Sequence, residues 1–402
     1  DLPLIGLHFD RMATLDVVVV GAGIEGSSTA YWCAKHGLDT LLLEQFALPH
    51  SRSSSHGGGR VIRYAYAEEH YAKMMEEAYP LWAQLEVETN TKLYRKTGML
   101  VMSDPGRDNY DRRLFNVKTL GRYAEEISHE ERQRRYPNYR HEPHYSSFID
   151  KAAGVLSASK ALKCYQDLFI KYGGRLQDEE KVKDIIPGAI VTVKTSRGEY
   201  KTNNVILTPG PWASKLLKPL GLQPPLTALR INVLYWQPKT PGAYDDFPCF
   251  VDVGLGLKHI YGLPSVSYQG MMKINYHGGV GTVDPDERDS SMVNEHQWDI
   301  EKVSNYVRKR FPLLHSTPAI VETCMYTRTP DNELILDRHP LHSNIIIGCG
   351  MSGHGFKLAP VVGKILCQLA LGKTPSHDIS PCSLRRFNNS ALIPSTSKAS
   401  KL

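Results

Sequence analysis

The sequence predicts an α/β fold built on two kinds of β-sheet, one parallel and one mainly antiparallel. The first indication is a run of four valines at 17–20, followed at once by the glycine pattern Gly21-x-Gly23-x-x-Gly26. β-Branched residues crowd a helix and pack well on a pleated sheet, so the valine run is expected to be a buried parallel strand. The second indication is a change near residue 226, after which the segments alternate as antiparallel strands do.

The glycine pattern has the surroundings of a dinucleotide-binding unit. Its first glycine permits a tight turn, its second lets the backbone approach a pyrophosphate, and its third lets the next helix lie on the strand. A helix is predicted at 27–35, with Gly37 just beyond its end, and a second apolar strand at 40–43. That strand leads into Glu44, an acid placed to accept hydrogen bonds from a ribose. Taken alone, the unit leaves FAD and NAD as alternatives.

Length and composition fit a protein of two globular domains. The chain has 402 residues, of which 41% are hydrophobic and 22% are charged, and its net charge is +6. The basic residues are scattered, so no nucleic-acid partner is expected. No apolar run reaches the length of about 20 residues that a membrane helix needs. The seven cysteines form no C-x-x-C pair, and neither they nor His339 and His342 indicate a metal site.

Further elements follow the nucleotide unit along the chain. The Ser- and Gly-rich stretch at 45–60 is expected to be a loop of the site, because it leaves a nucleotide strand directly and ends in basic residues. Helices are predicted at 69–87, 108–122, 129–136, 156–172 and 360–371. Strands are predicted at 92–101, 174–175, 181–185, 190–195, 199–202, 204–208, 230–236, 259–263, 271–277 and 344–348.

The order of these elements predicts a discontinuous domain that encloses a second one. The nucleotide-binding domain is expected to comprise 12–90, 150–225 and 322–390. The domain with the mainly antiparallel sheet is expected to comprise 91–149 and 226–321. The return of buried parallel strands late in the chain is the reason for this division.

The two ends of the chain are expected to lie outside these domains. Residues 1–11 are interpreted as a tag or leader remnant, because Met12 stands directly before the first strand. Residues 391–402 are polar and rich in proline and serine, which predicts a disordered tail. The tail ends in Ser400-Lys401-Leu402, a triplet that the peroxisomal import receptor reads, so a peroxisomal location is expected.

Four stretches of the chain resemble the monomeric sarcosine oxidase family, which belongs to the glutathione-reductase-like flavoproteins. They are Ser55-His56-Gly57, Arg60-Val61-Ile62-Arg63, the segment CMYTRTPD at 324–331 and the segment GMSGHGFK at 350–357. The resemblance runs from about Asp16 to Phe387. It implies an FAD-binding Rossmann-like domain joined to a mixed, mainly antiparallel substrate domain, and a monomeric enzyme.

The resemblance also implies how the cofactor is held. In that family FAD is attached through a thioether between a cysteine and the 8α-methyl group, and the matching residue is Cys324. Judged by its neighbours alone, Cys324 would be interpreted as a buried structural thiol. The residues expected to contact FAD are Gly21, Gly23, Gly26, Glu44, Ser55, Arg60, Val182, Cys324, Gly353, His354, Gly355 and Lys357.

The same resemblance implies which residues contact the substrate and which act on O2. Arg63 and Lys357 match the pair that binds the substrate carboxylate, a task that suits fixed positive charge. Arg60 and Lys273 match basic residues on opposite faces of the flavin, and Lys273 matches the lysine linked with activation of O2. The substrate side is expected to be lined by His56, Tyr261, His277, Tyr326 and Met351. No histidine is expected to act as a general base.

The implied reaction is oxidation of a secondary-amine amino acid, sarcosine or L-pipecolate. Net hydride transfer to FAD gives an imine that hydrolyses, and O2 reoxidises the flavin to give H2O2. Three alternatives remain: an oxidase of other N-substituted amino acids such as glycated ones, a flavin-binding protein without turnover, and a nicotinamide-dependent dehydrogenase. Arg328, Gly59 and Met351 depart from the family pattern and leave the preferred substrate open.

Overall fold

The structure, a computed structural model, describes residues 14–120, 123–255, 259–289 and 297–391. The predicted leader at 1–11 and the targeting triplet at 400–402 therefore lie outside the described residues. None of the described helices is long and apolar enough to cross a bilayer. The helices within the described ranges are α1 (Ile24–Lys35), α2 (Glu69–Thr89), α3 (Asp108–Thr119), α4 (His129–Arg135), α5 (Ala158–Lys171), α6 (Ala213–Leu217), α7 (Trp298–Arg310) and α8 (Ala359–Ala370).

An eight-stranded sheet contains the predicted nucleotide unit. Its strands are β1 (Leu15–Val20), β2 (Thr40–Leu43), β9 (Arg175–Gln177), β10 (Val182–Ile186), β11 (Val191–Thr195), β12 (Glu199–Leu207), β19 (Ile335–Arg338) and β20 (Ile345–Cys349). The valine strand β1 lies at the centre and pairs in parallel with β2 and β12. β20 pairs in parallel with the other side of β12, whereas β10, β11 and β19 pair antiparallel. The predicted α/β fold class is confirmed.

A nine-stranded sheet forms the second layer of strands. It comprises β5 (Met99–Ser103), β6 (Ala124–Glu126), β7 (Ser146–Asp150), β13 (Thr227–Trp236), β14 (Cys249–Asp252), β15 (Ile260–Pro264), β16 (Met272–Tyr276), β17 (Gly281–Thr282) and β18 (Ile320–Arg328). Its described pairs are antiparallel except β5 with β14. A small third sheet joins β3 (Gly59–Ile62), β4 (Tyr94–Lys96) and β8 (Gly154–Ser157).

Several predicted elements differ from the observed ones. The strand predicted at 92–101 is two strands, β4 and β5, which belong to different sheets and are separated by Gly98 at φ 70°. The helix predicted at 156–172 begins at Ala158, because 154–157 pairs as β8. The strands predicted at 199–202 and 204–208 are one continuous strand, β12, which pairs with β11 at 199–202 and with β1 at 202–207.

The domain boundary predicted at 322 falls inside a strand. β18 was not among the predicted strands, and it pairs with β13 in the nine-stranded sheet from Ile320 to Arg328. Residues 322–328 therefore pair within the antiparallel sheet, whereas the predicted division places 322–390 in the nucleotide-binding domain. The physical reason is that local pattern indicates strand content, whereas the partner of a strand is set by residues far away in the chain.

Helices α1, α5 and α8 pack together on the eight-stranded sheet. Their facing side chains form the largest buried cluster, which also contains α2 residues such as Trp82. The indole Nε1 of Trp82 donates a hydrogen bond of 2.9 Å to the carbonyl oxygen of Lys357. The backbone just before α8 is thus held by the core, which places the Lys357 side chain at the end of the cavity described next.

Candidate active site

A cavity of about 640 Å³ is lined by residues of both large sheets. The end of β1, the glycine turn and β10 contribute from the parallel sheet, and β15, β16 and β18 contribute from the antiparallel one. Every predicted site residue except Gly26 lines this cavity. The lining set is Gly21, Gly23, Glu44, Ser55, His56, Arg60, Arg63, Val182, Tyr261, Lys273, His277, Cys324, Tyr326, Met351, Gly353, His354, Gly355 and Lys357.

The glycine turn leaves no space for side chains at one end of the cavity. Gly21 has φ 99°, and a Cβ there would lie 2.5 Å from the carbonyl oxygen of Thr208. A Cβ on Gly26 would lie 1.9 Å from the carbonyl oxygen of Gly21, so Gly26 serves the close packing of turn and helix rather than the cavity wall. The N-cap residue of α1 is Gly23, which has no side chain to occupy the space at the helix N-terminus. A helix N-terminus beside glycines suits the pyrophosphate of a dinucleotide.

Glu44 is held at the same end with its carboxylate directed at the glycine turn. Its Oε2 accepts a hydrogen bond of 3.0 Å from the backbone N–H of Ala22, and its Oε1 accepts one of 2.8 Å from that of Gln45. Ser55 approaches from the loop, where its Oγ accepts a 3.0 Å hydrogen bond from the N–H of Ile24. These contacts hold the Glu44 carboxylate at the position where the sequence predicts a ribose contact. The residues at this end of the cavity therefore fit the adenosine half of a dinucleotide.

Two cations meet at the opposite part of the cavity. The Arg63 guanidinium carbon lies 4.9 Å from the centre of the Tyr66 ring, and the Lys357 ammonium nitrogen lies 5.6 Å from the same centre. Their hydrogen bonds go to backbone carbonyl oxygens, Arg63 Nε to Ala65 at 3.2 Å and Lys357 Nζ to His354 at 3.2 Å. Burial, and then the charges of Arg63 and Arg60, lower the pKa of Lys357 well below its usual range. An anion bound between them would relieve this repulsion.

A second pair of basic residues, Arg60 and Lys273, converges on the carbonyl oxygen of Gly59. Arg60 Nη1 donates to it at 3.0 Å, and Lys273 Nζ donates to it at 3.4 Å. Burial, and then the charge of Arg60, lower the pKa of Lys273 to about 7. Lys273 is therefore a buried amine on β16 that is poised between its charged and neutral forms.

Aromatic side chains form another wall of the cavity. The hydroxyl of Tyr326 lies 3.4 Å from Nδ1 of His277, and the His277 ring stacks on that of His259 at 4.5 Å. The hydroxyl of Tyr261 accepts a 3.3 Å hydrogen bond from Asn275. Burial, and then His259 and Arg328, lower the pKa of His277 well below its usual range, so its imidazole is neutral near pH 7.

Cys324 lies on β18, beside the loop that carries Ser54. Its side chain is 6% exposed, and its Sγ is 3.8 Å from the carbonyl oxygen of Ser54 and 3.7 Å from that of Met325. It is one of the free cysteines and it faces the cavity.

The relatives of the chain identify its family. Residues 16–369 match the FAD dependent oxidoreductase family. The chain is 48% identical over 377 residues to the peroxisomal sarcosine oxidase of Homo sapiens, covering 92% of this chain and 96% of that protein. It is 34% identical over 380 residues to the monomeric sarcosine oxidase of Bacillus sp. (strain B-0618), again covering 92% and 96%. The chain belongs to the sarcosine oxidase family.

Solved structures agree with the family at the level of the fold. NikD, an amino acid oxidase essential for nikkomycin biosynthesis, superposes with a TM-score of 0.80 at 23% identity, covering 92% of this chain and 97% of that one. L-proline dehydrogenase from P. horikoshii superposes with a TM-score of 0.80 at 22% identity, covering 95% and 100%. The predicted family, fold class and enzyme class, an FAD-dependent amine oxidase, are confirmed, and FAD is the cofactor of this family.

In this member of the sarcosine oxidase family, His56 contacts the protein backbone through both ring nitrogens. Nδ1 lies 2.6 Å from the carbonyl oxygen of Ser53, and Nε2 lies 3.1 Å from that of Thr323. Burial, and then the charge of Arg60, lower the pKa of His56 to about 4, so the ring is neutral and has a single N–H to donate. The ring joins the loop to the strand of Cys324, and its role on the substrate side stays a prediction.

The cavity residues that the sequence prediction did not name include Tyr66, Arg113 and Glu25. Tyr66 lies between the two cations, and Arg113 is buried behind them with its Nε donating to Asn109 at 2.7 Å. Burial, and then Arg63, lower the pKa of Arg113 to about 10. The third is Glu25, and a charged residue inside the glycine motif could have indicated from the sequence that this side chain belongs to the site. For Tyr66 and Arg113 no local pattern could have indicated the site, because their positions depend on tertiary packing.

Neighbouring side chains lie too close to the turn at 353–355 for residues 353 and 355 to carry a Cβ atom. Gly353 has φ 82°, and a Cβ there would lie 2.6 Å from the Tyr326 ring and 2.7 Å from the His277 ring. A Cβ on Gly355 would lie 2.8 Å from that of Met351. The turn at 353–355 is therefore pressed against the aromatic wall, and Met351 reaches the cavity beside it.

Proposed function

We propose that the enzyme oxidises a secondary-amine amino acid, sarcosine or L-pipecolate, in this cavity. The observation that carries the proposal is the pair Arg63 and Lys357, two cations around one tyrosine ring whose hydrogen bonds go to backbone carbonyl oxygens. A carboxylate is the anion that such a pair holds best, because charge-assisted hydrogen bonds are strong in a partly desolvated pocket. The curated relatives named sarcosine oxidase support the same substrate class.

The protein's part in the reaction is to hold and orient the substrate. With its carboxylate fixed between Arg63 and Lys357, the amine and the neighbouring C–H face the interior of the cavity. Tyr261, Tyr326 and His277 line the same cavity and would help to exclude water from the bound substrate. FAD, when bound, would supply the redox chemistry, as the acceptor for the hydride of that C–H and the two-electron donor that reduces O2 to H2O2. The imine product then hydrolyses.

Arg60 and Lys273 are assigned to the redox side of the cavity. Both are anchored on the carbonyl oxygen of Gly59, so their charges are fixed in position before O2 arrives. A fixed cation stabilises negative charge that develops on oxygen, and burial strengthens the interaction. This placement supports the role that the family resemblance gives to Lys273.

The substrate is tested by mixing the enzyme anaerobically with single amines. Sarcosine and L-pipecolate are expected to bleach the visible flavin band, and a peroxidase-coupled assay in air is expected to detect one H2O2 per turnover. The control is the corresponding amine without a carboxylate, which Arg63 and Lys357 cannot hold. Failure of both amino acids to bleach the flavin would overturn the proposed substrate.

A second candidate is the oxidation of bulkier N-substituted amino acids on the same scaffold. Met351 is unbranched and flexible, so it can yield space that a phenyl ring would fill. A glycated amino acid in the same anaerobic test distinguishes the two candidates. Faster bleaching by the glycated compound than by sarcosine or L-pipecolate would favour the second one.

We further infer that FAD is attached covalently through Cys324. The thiol is free, buried, directed to the cavity and adjacent to the loop of Arg60. Cys324→Ser is expected to release the flavin into the supernatant after acid precipitation, whereas the parent keeps it in the pellet. Cys349→Ser is the matched control, because Cys349 is also buried and lines the cavity. Flavin in the pellet of Cys324→Ser would contradict the linkage.

The enzyme is proposed to work as a monomer inside the peroxisome. Relatives from Homo sapiens and Mus musculus are named peroxisomal sarcosine oxidase, and the triplet Ser400-Lys401-Leu402 matches the import signal. The import receptor is the expected protein partner. A chain lacking the triplet is expected to stay in the cytosol when it is imaged beside a peroxisomal marker. Import of that chain into peroxisomes would contradict the proposal that the triplet is the import signal.

A further inference from the structure

Glu25 is a buried acid inside the glycine motif with no assigned role. It lies in the first turn of α1, its residue is 8% exposed, and it lines the cavity. Neither of its carboxyl oxygens has a hydrogen-bond partner among the described residues. Leaving a buried carboxyl unsatisfied costs free energy, so a group of this kind indicates a ligand that completes its contacts.

The carboxyl lies between the two glycine turns of the cavity. A Cβ on Gly355 would lie 2.7 Å from Oε1 of Glu25, so the carboxyl is directly against the second turn. Its own backbone follows Gly23 of the first turn. Glu25 therefore stands between the part of the cavity suited to a pyrophosphate and the part that holds Arg63 and Lys357.

Protein groups near Glu25 do not satisfy it. Lys357 is near enough for its charge to favour the ionised carboxyl, yet its Nζ donates to the carbonyl oxygen of His354 instead. Burial raises the pKa of Glu25 to about 8, and Lys357 opposes this only in part. The carboxyl is accordingly neutral at pH 7 and can both donate and accept a hydrogen bond.

We propose that Glu25 is a cofactor-binding residue whose carboxyl hydrogen-bonds the hydroxyl-bearing chain that links the pyrophosphate of FAD to its ring. That chain offers several hydroxyl groups, each a donor and an acceptor, which would complete the contacts of a neutral carboxyl that lies between the two glycine turns. The inference rests on FAD binding by this family and is independent of the substrate and of the Cys324 linkage.

The test measures FAD affinity in full-length chains carrying Cys324→Ala, so that the flavin can exchange. Glu25→Leu removes both hydrogen-bonding atoms, and Glu25→Gln keeps the shape and polarity of the neutral acid. Thr29→Val is the matched control, because Thr29 is buried on the same helix and bonds only the backbone of Glu25. FAD is titrated into each apoprotein and followed by flavin fluorescence, and the melting temperature of each apoprotein is recorded.

Glu25→Leu is expected to raise the FAD dissociation constant by about tenfold or more, the usual result of removing one partner of a buried hydrogen bond. Glu25→Gln and Thr29→Val are expected to bind FAD as the parent does. The leucine apoprotein is expected to melt at the same or a higher temperature, because an unsatisfied polar group has been replaced by an apolar one. A merely structural glutamate would instead give a lower melting temperature.

Unchanged FAD affinity in Glu25→Leu would overturn the inference and leave the proposed function intact. Equal weakening by Glu25→Gln would show that the ionised acid is needed, which also overturns it. The same substitutions in the chain that keeps Cys324 provide a second readout, the temperature at which bound flavin becomes fluorescent. A parent chain that binds no FAD in either background would overturn the proposed function itself.

Discussion

Replacing Lys273 with methionine is expected to slow the reaction of the reduced enzyme with O2 by about 10²- to 10³-fold, the usual cost of removing one preorganised charge or donor. Methionine keeps the length of the side chain and removes its charge. Reduction by the amine is expected to change much less, because Lys273 lies at the carbonyl oxygen of Gly59 and not at the carboxylate site. Stopped-flow measurement of the two half-reactions separates these effects.

The pH dependence of the reaction with O2 follows from the lowered pKa of Lys273. With a pKa of about 7, Lys273 is charged below that pH and loses its proton as the pH rises through it. The rate of the reaction with O2 is therefore expected to fall in the parent as the pH increases from 6 to 8. In Lys273→Met this fall is expected to be absent, because methionine has no proton to lose. Lys302→Met, at an exposed lysine on α7, is the control and should resemble the parent. An unaltered O2 rate in Lys273→Met would contradict the assignment.

Replacing Arg63 with glutamine is expected to lower kcat/KM for the amino acid by about 30-fold or more. Removing one partner of a buried charge pair costs about 2–5 kcal/mol, and about 1.4 kcal/mol corresponds to tenfold. Glutamine retains polarity and removes the fixed charge opposite Lys357. The loss is expected mainly in KM, since the carboxylate is bound before and during the reaction.

A substrate without a carboxylate makes this prediction specific. For the corresponding amine, the parent and Arg63→Gln are expected to have similar kcat/KM, because the missing charge has nothing to hold. Arg95→Gln changes an exposed arginine on β4 and serves as the control for charge alone. If Arg63→Gln loses as much activity on the neutral amine as on the amino acid, Arg63 does not act through the carboxylate.

Much of the nucleotide unit could be predicted from the sequence because its signals are local. Four valines, three glycines and an acid lie within about thirty residues, and each meets a requirement of backbone geometry or hydrogen bonding close to it. The structure places β1 in the centre of the parallel sheet, Gly21 in a positive-φ turn and Glu44 at the N–H of Ala22. The family resemblance then supplied the remaining site residues, which line one cavity with the exception of Gly26.

The errors in the fold arise where a segment depends on a distant partner. Residues 92–101 have the composition of one strand, but Gly98 turns the chain and sends its halves to two sheets. β18, which contains the predicted boundary at 322 and was not among the predicted strands, pairs with β13, about ninety residues earlier in the chain. Sheet pairing is a contact between remote segments, so a local pattern that indicates a strand does not identify its neighbour.

By itself, the sequence determined the glycine-rich dinucleotide unit, the α/β class and, through long ordered motifs, the sarcosine oxidase family. Only the tertiary structure decided the chemical state of the site. The lowered pKa of Lys273, the Tyr66 ring between Arg63 and Lys357, the backbone contacts of His56 and the unsatisfied carboxyl of Glu25 all follow from burial and from neighbours far away in the chain. Desolvation and charge act through space, so the packed fold determines them.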